Sequence, residues 1–159
     1  MVSAFEPGDS RRLRWLDSVT YLGTKYYYPA KYRNTAASVT EYYTVLRLAE
    51  VFLVRAEARA QQNKLPEAVA DINTVRVRAG LAPLLTTIGL PQVTAAIEAE
   101  RRFELFAEWG HRWFDLKRWN RASAVLSPLK SGWTEPDGLY PIPQDEIINN
   151  SFLTQNPGY

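Results

Sequence analysis

A chain of 159 residues, 46% hydrophobic and 23% charged, is long enough to bury a core as one domain. Its net charge of +2, with no block of one sign, argues against a nucleic-acid binder driven by bulk electrostatics. The lack of cysteine excludes a disulfide framework, a thiolate metal site and a thiol nucleophile, and no run nears the roughly 20 apolar residues of a spanning helix.

Met1-Val-Ser-Ala-Phe-Glu-Pro-Gly8 lacks the apolar core of a secretory leader, and its abrupt start fits a piece excised from something longer. Residues 1–40 read as an irregular, aromatic-rich lead-in. Within them Ser18–Leu22 and Lys25–Pro29 flank Gly23-Thr24, and their Tyr and β-branched residues predict a short hairpin. Trp15, Tyr21, Tyr26, Tyr27, Tyr28 and Tyr32 crowd here. Such rings either stack on sugar rings or bases, or cover the helices that follow.

From Thr40, a plausible N-cap, the pattern turns helical. Val45, Leu48, Ala49, Phe52, Leu53, Ala56 and Ala60 recur at three- and four-residue steps. Gln62-Asn63-Lys64 breaks this helix. Pro66 suits the first turn of the next, Ala68, Ile72 and Val75 form its stripe, and Gly80 ends it. The two make an antiparallel pair that partly matches one tetratricopeptide repeat. Val51, Val54, Val69 and Val77 lie off the shared stripe. They predict either self-association, as a homodimer, or cover by the Tyr-rich N-terminal segment.

A Thr/Gly/Pro-rich loop leads to a third helix, about Pro91 to Trp109, and Gly110 separates it from a short fourth, about His111 to Arg121. Trp113, Phe114, Leu116 and Trp119 restart the apolar stripe there. Residues 100–119 also interleave acids with bases. Glu100, Glu104, Glu108 and Asp115 lie within helical reach of Arg101, Arg112, Lys117 and Arg118. This predicts a structural ion-pair corner of Glu104, Glu108, Arg112, Asp115 and Arg118, not a binding site. Prolines then forbid long regular structure in the tail. There Leu139–Ile147 reads as extended chain pinned by Tyr140 and Ile142, then one helical turn, and Gln155–Tyr159 as a closing turn.

Chemistry is hard to find. Glu108 and His111 have the Glu-x-x-His spacing of di-iron bundles, yet such a site needs a second pair and the chain has one histidine. Glu104 and Glu108, one turn apart, could be argued as an acid/base pair for glycoside cleavage. Neighbouring bases would hold both ionised instead. No phosphate loop, Gly-x-Ser-x-Gly elbow or His-Glu-x-x-His pattern is present. The reading is therefore no catalytic residue, no metal and no cofactor.

Three stretches together carry a family likeness. Arg47-Leu-Ala-Glu-Val-Phe-Leu-Val-Arg-Ala-Glu-Ala58 resembles the helix opening the C-terminal half of the SusD/RagB family. Glu100-Arg-Arg-Phe-Glu-Leu105 followed by Gly110-His-Arg-Trp-Phe-Asp-Leu-Lys-Arg-Trp119 resembles that family's most recognisable run. Leu139-Tyr-Pro-Ile-Pro-Gln-Asp-Glu-Ile147 with Leu153-Thr-Gln-Asn-Pro-Gly-Tyr159 resembles its C-terminus, and Asn73-Thr-Val-Arg-Val-Arg-Ala-Gly80 is a fourth, weaker match.

The resemblance implies a mainly α-helical C-terminal domain over residues 41–159. It implies a non-catalytic oligosaccharide- or polysaccharide-binding lipoprotein on the outer face of a Bacteroidetes-type outer membrane. Such a protein caps a SusC-like TonB-dependent transporter and passes glycans to it. Two departures stand out: family members are usually several times longer, and they start with a lipidated Cys that this chain lacks. Trp15, Tyr26, Tyr28 and Trp133 are the loop aromatics proposed for sugar stacking. The rival reading is a helical interaction domain that docks on the transporter and binds no sugar.

Overall fold

The computed structural model describes residues 2–34 and 40–159, so residues 35–39 of the lead-in lie outside the described part. The chain divides into two compact units, Met1–His111 and Arg112–Tyr159.

The first unit begins with a helical turn and α1 (Ser10–Trp15), capped by Asp9, whose side chain accepts the Arg11 backbone N–H at 2.9 Å. Strands β1 (Leu16–Tyr21) and β2 (Thr24–Pro29) follow as an antiparallel hairpin. Its two-residue turn puts Leu22 (φ 47°) and Gly23 (φ 80°) both in the left-handed region, as a type I′ turn demands. The predicted hairpin is therefore present, one residue earlier at the turn.

Helices α2 (Leu48–Gln61) and α3 (Leu65–Arg78) form the expected pair. Leu53, Ala56, Ala60, Ala68, Ile72 and Val75 meet in its core. Arg55 and Arg59 of α2 both reach Asp71 of α3, and Arg59 also the Glu67 carbonyl; this reversed order shows that the helices are antiparallel. Asn63 (φ 58°) turns the chain, Pro66 sits in the first turn of α3, and Gly80 (φ 82°) stops it. The Asn73 amide then clamps the next loop, bonding both the N–H and the C=O of Leu84.

Three expectations need correcting here. The first helix starts at Leu48, not Thr40. Residues 40–47 are rich in Thr, Tyr and Val, weak helix formers, and tertiary contacts take them over. Tyr43 stacks between Tyr32 (5.1 Å) and Trp109 (4.7 Å), and Arg47 is held extended by distant acids. Val45 and Leu48 are consequently exposed. Second, Val69 is fully buried, whereas Val51, Val54 and Val77 are exposed as expected. Val69 lies two turns before Arg76, which meets Glu100 of α4, so α4 covers that flank. Third, the described residues of the N-terminal segment leave Val51, Val54 and Val77 exposed. Phe5 packs instead on Phe103 (4.6 Å) and Phe106 (6.1 Å), joined by Trp15.

Helix α4 (Leu90–Glu104) packs on both α2 and α3 through Val93 and Ile97. It ends at Glu104, five residues short of the expected Trp109. The Glu104 carbonyl, which would accept the next helical N–H, is taken by Lys31 Nζ at 2.7 Å and Arg47 Nη2 at 2.8 Å. Ala107 (φ 57°), Trp109 (φ 42°) and Gly110 (φ 71°) then turn the chain.

The second unit holds α5 (His111–Arg118), which starts on the last residue of the first, α6 (Ala122–Leu126) and α7 (Gln144–Asn149). Asn120 (φ 54°) separates α5 from α6, so α5 stops at Arg118, short of the expected Arg121, and α6 is a further helix that the sequence reading did not give. Only Asp115, Leu116 and Ala122 are buried in this unit; Phe114, expected on the apolar stripe, faces outward. The extended tail is pinned by the edge-on contact of the Tyr140 ring with Trp113 and by polar side chains. Gln155 bonds both the N–H and the C=O of Ile142, Asn156 donates to the Tyr140 carbonyl, and the Tyr159 hydroxyl donates to the Leu139 carbonyl at 2.9 Å.

Candidate functional site

Two regions carry the candidate residues. The first is the charged end of α4. Glu100, Glu104 and Glu108 are all buried, Glu104 with 0% exposure. Every one of their carboxylate oxygens meets a protein cation. Glu100 accepts from Arg76 (2.9 Å) and Arg11 (2.8 Å). Glu104 accepts from Arg47 (2.7 Å), Arg78 (2.5 Å) and Arg11 (3.3 Å). Glu108 accepts from Lys31 (2.6 Å) and Arg47 (3.0 Å). Arg11 is itself locked by a two-pronged pair with Asp9, and Arg76 by another with Glu6.

The acids singled out in the sequence are thus paired, but with cations from far along the chain rather than with helical neighbours. Of the expected local pairs, Asp115–Arg118 forms, at 3.0 Å within α5 of the second unit. Glu104 and Glu108 come together in the first unit by sharing Arg47. Sequence reasoning did not name Arg11, Lys31, Arg47, Arg76 and Arg78 as partners, although Arg47, Arg76 and Arg78 lie within the stretches that carry the family likeness.

The electrostatics follow from this geometry. Burial pushes the Glu104 carboxyl up, but hydrogen bonds from Arg47 and Arg78 and their charges outweigh it and hold the group below the usual range. Burial lowers the Lys31 ammonium against the pull of Glu108. Lys31 also sits 4.5 Å from the Trp15 ring centre and 4.3 Å from that of Phe106. A carboxylate held ionised, with both oxygens taken, can neither donate a proton nor receive a ligand. The His111 Nδ1 lies 3.5 Å from Glu50, and among the described residues no group of three His, Asp or Glu side chains is placed to hold a metal.

The second set is aromatic. Trp15 is half-buried at the hairpin root, its ring approached by Lys31, Arg47 and Arg78. Tyr26 and Tyr28 alternate along β2 and so share one face, 53% and 46% exposed, opposite Val19 and Asp17 of β1. Trp133 stands in the second unit, with its indole N–H donated to Ser123 Oγ at 3.0 Å. Its ring meets Trp113 edge-on at 6.3 Å, and Trp113 meets Tyr140 likewise. Trp113 and Tyr140 are the aromatics the sequence reading did not propose for sugar contact.

Comparison with known proteins agrees with the quoted motifs. The profile of the SusD family matches residues 17–159. SusD-like protein P38 of Formosa agariphila is 34% identical over 136 residues, covering 79% of this chain and 26% of that protein. The starch-binding protein SusD of Bacteroides thetaiotaomicron is 32% identical over 130 residues, covering 72% and 21%. Among solved structures, a SusD-like protein of Bacteroides fragilis aligns with a TM-score of 0.62 at 30% identity, over 74% of this chain and 26% of that one. A SusD superfamily protein of Bacteroides vulgatus gives 0.65 at 28% identity, over 72% and 27%. The chain therefore spans about a quarter of the length of the relatives it matches. With a family match across nearly all of its length, and solved relatives of the same helical fold, this chain belongs to the SusD family.

Proposed function

We propose that the chain contributes to a non-catalytic glycan-binding protein of an outer-membrane nutrient-uptake complex, working beside a SusC-like TonB-dependent transporter at the cell surface. The observation that carries this is the family match over residues 17–159, with a starch-binding relative among the similar proteins. The site geometry supports it. Exposed rings stand at Tyr26 and Tyr28 and around Trp133, whereas the buried acids have no free oxygen for chemistry. Trp15 stands at the hairpin root as a supporting ring.

Calorimetric titration of the chain with soluble starch and a panel of other polysaccharides tests the reading. Binding to at least one, without release of shorter sugars, is expected. Silence across a broad panel overturns glycan binding by this chain.

A second reading is favoured by a specific surface. Leu46, Leu48, Val51, Val54 and Val77 expose apolar side chains around the α2–α3 pair. In that case the chain is a docking domain for the transporter, or for a second copy of itself. Such a chain would ignore sugars and respond only to its partner.

A further inference from the structure

The second unit contains a pocket of about 380 Å³, lined by Trp113, Trp133, Tyr140 and Tyr159 with Lys130 and Asp137 on its polar side. We infer that this pocket is a sugar subsite for a neutral pyranose unit, resting on the glycan reading above. Its size lies in the roughly 300–1,000 Å³ range of small-ligand sites.

The rings form a connected arc. Trp113 stands at its centre, with Trp133 and Tyr140 each edge-on to it at interplanar angles of 71° and 72°. Rings so placed present faces in different directions, and a pyranose has an apolar C–H face to lay on one of them. The arc is rigid where it matters. Trp133 is oriented by its bond to Ser123, Tyr159 by its bond to the Leu139 carbonyl, and the backbone under Tyr140 by Asn156. Gly158 (φ 96°) lets the C-terminal turn close against Pro136, where an added Cβ would stand 2.4 Å from the Pro136 Cβ.

The polar groups suit hydroxyls. Asp137 Oδ2 takes the Thr134 N–H (2.6 Å) and hydroxyl (2.9 Å), which leaves Oδ1 to accept from a sugar. Lys130 brings an exposed ammonium as donor. One cation and one anion give a wall without net charge, which favours a neutral sugar over a uronate. A second pocket of about 380 Å³ shares Leu139 with the first and is lined by Lys117, Asn120, Ser123 and Glu135.

The test uses the intact chain with maltohexaose, cellohexaose, xylohexaose and laminarihexaose, read by calorimetry and by the indole N–H signals of Trp113 and Trp133. Tyr140 is 76% exposed, so Tyr140→Ala should leave the melting temperature in place and weaken the bound hexaose by about fivefold or more. Lys130→Ala, also exposed, should weaken it less, and the two indole signals should shift on binding. If a hexaose binds while Tyr140→Ala and Lys130→Ala keep full affinity and neither indole moves, the subsite is wrong and the glycan reading stands. If no hexaose or polysaccharide binds at all, the glycan reading falls for this chain, and the subsite with it.

Discussion

The two units are held together in different ways. In the first, large apolar side chains (Leu53, Ile72, Val93, Ile97, Leu105) are buried with Glu100, Glu104 and Glu108, whose partners lie 24 to 93 residues away. In the second, the buried apolar side chains are Leu116 and Ala122, and short polar links such as Gln155 to Ile142 and Tyr159 to Leu139 fix the chain. A buried charge network with every oxygen paired admits one arrangement, because any loss leaves an uncompensated charge. Rings and loops tied by single hydrogen bonds keep open faces. The first unit is locked by paired charges, and the second keeps aromatic faces open.

The strongest way to break this contrast is Glu104→Ala. It strips Arg47, Arg78 and Arg11 of one buried partner, and should cost about 3–5 kcal/mol of folding stability, read by chemical denaturation. A variant that is equally stable but unable to bind ligand would move these residues into a functional site. Acid provides a milder version. Glu104 has its carboxyl held below the usual range, and so does Glu6, chiefly through its hydrogen bond to Arg76. Groups with a depressed folded pKa contribute stability that is present above their unfolded value, about 4.3, and is lost as pH falls through the folded one. The melting temperature should hold from pH 7 to about 5 and fall below about 4. A flat profile down to pH 3 would show that the network is not what holds the first unit.

Much of the first unit was legible in the sequence. The three- and four-residue spacing of Leu53, Ala56 and Ala60, and of Ala68, Ile72 and Val75, is a local signal that survives folding. So was the hairpin, through β-branched and Tyr residues around Gly23. The acids of α4 could be singled out, but not their partners. Nothing local tells Arg47, Arg76 or Arg78 which carboxylate it will meet, and the same long-range bonds displaced both the start of α2 and the end of α4. In the second unit the motif spacing was readable, yet the aromatic arc was not. Trp113 and Trp133 are 20 residues apart on a helix and a loop, and only the turns between them bring them together.

A smaller effect probes the second unit from its own side. Gly158→Ala places a side chain on a left-handed φ of 96° and against Pro136. The expected cost is about 1–3 kcal/mol, confined to the tail that carries Tyr159. Hydrogen exchange should therefore rise at residues 139–159 while Leu53 and Ile97 stay protected. Equal loosening of both sets of amides would show that the units do not differ in the way described.

The smallest stability effect belongs to the hairpin, and it decides what kind of surface the first unit offers. Tyr26 and Tyr28 lie on one half-exposed face of a two-stranded ribbon. Removing a half-exposed ring from such a face costs little beyond the cross-strand contact with Val19 or Asp17, so Tyr26→Ala and Tyr28→Ala should each change stability by about 0.5 kcal/mol or less. If these rings stack on sugar, affinity should drop with the fold intact. A drop in melting temperature with unchanged binding would instead make the tyrosines a structural cover. Unchanged stability and unchanged binding together would leave glycan contact to the second unit alone, and would draw the contrast between the units more sharply still.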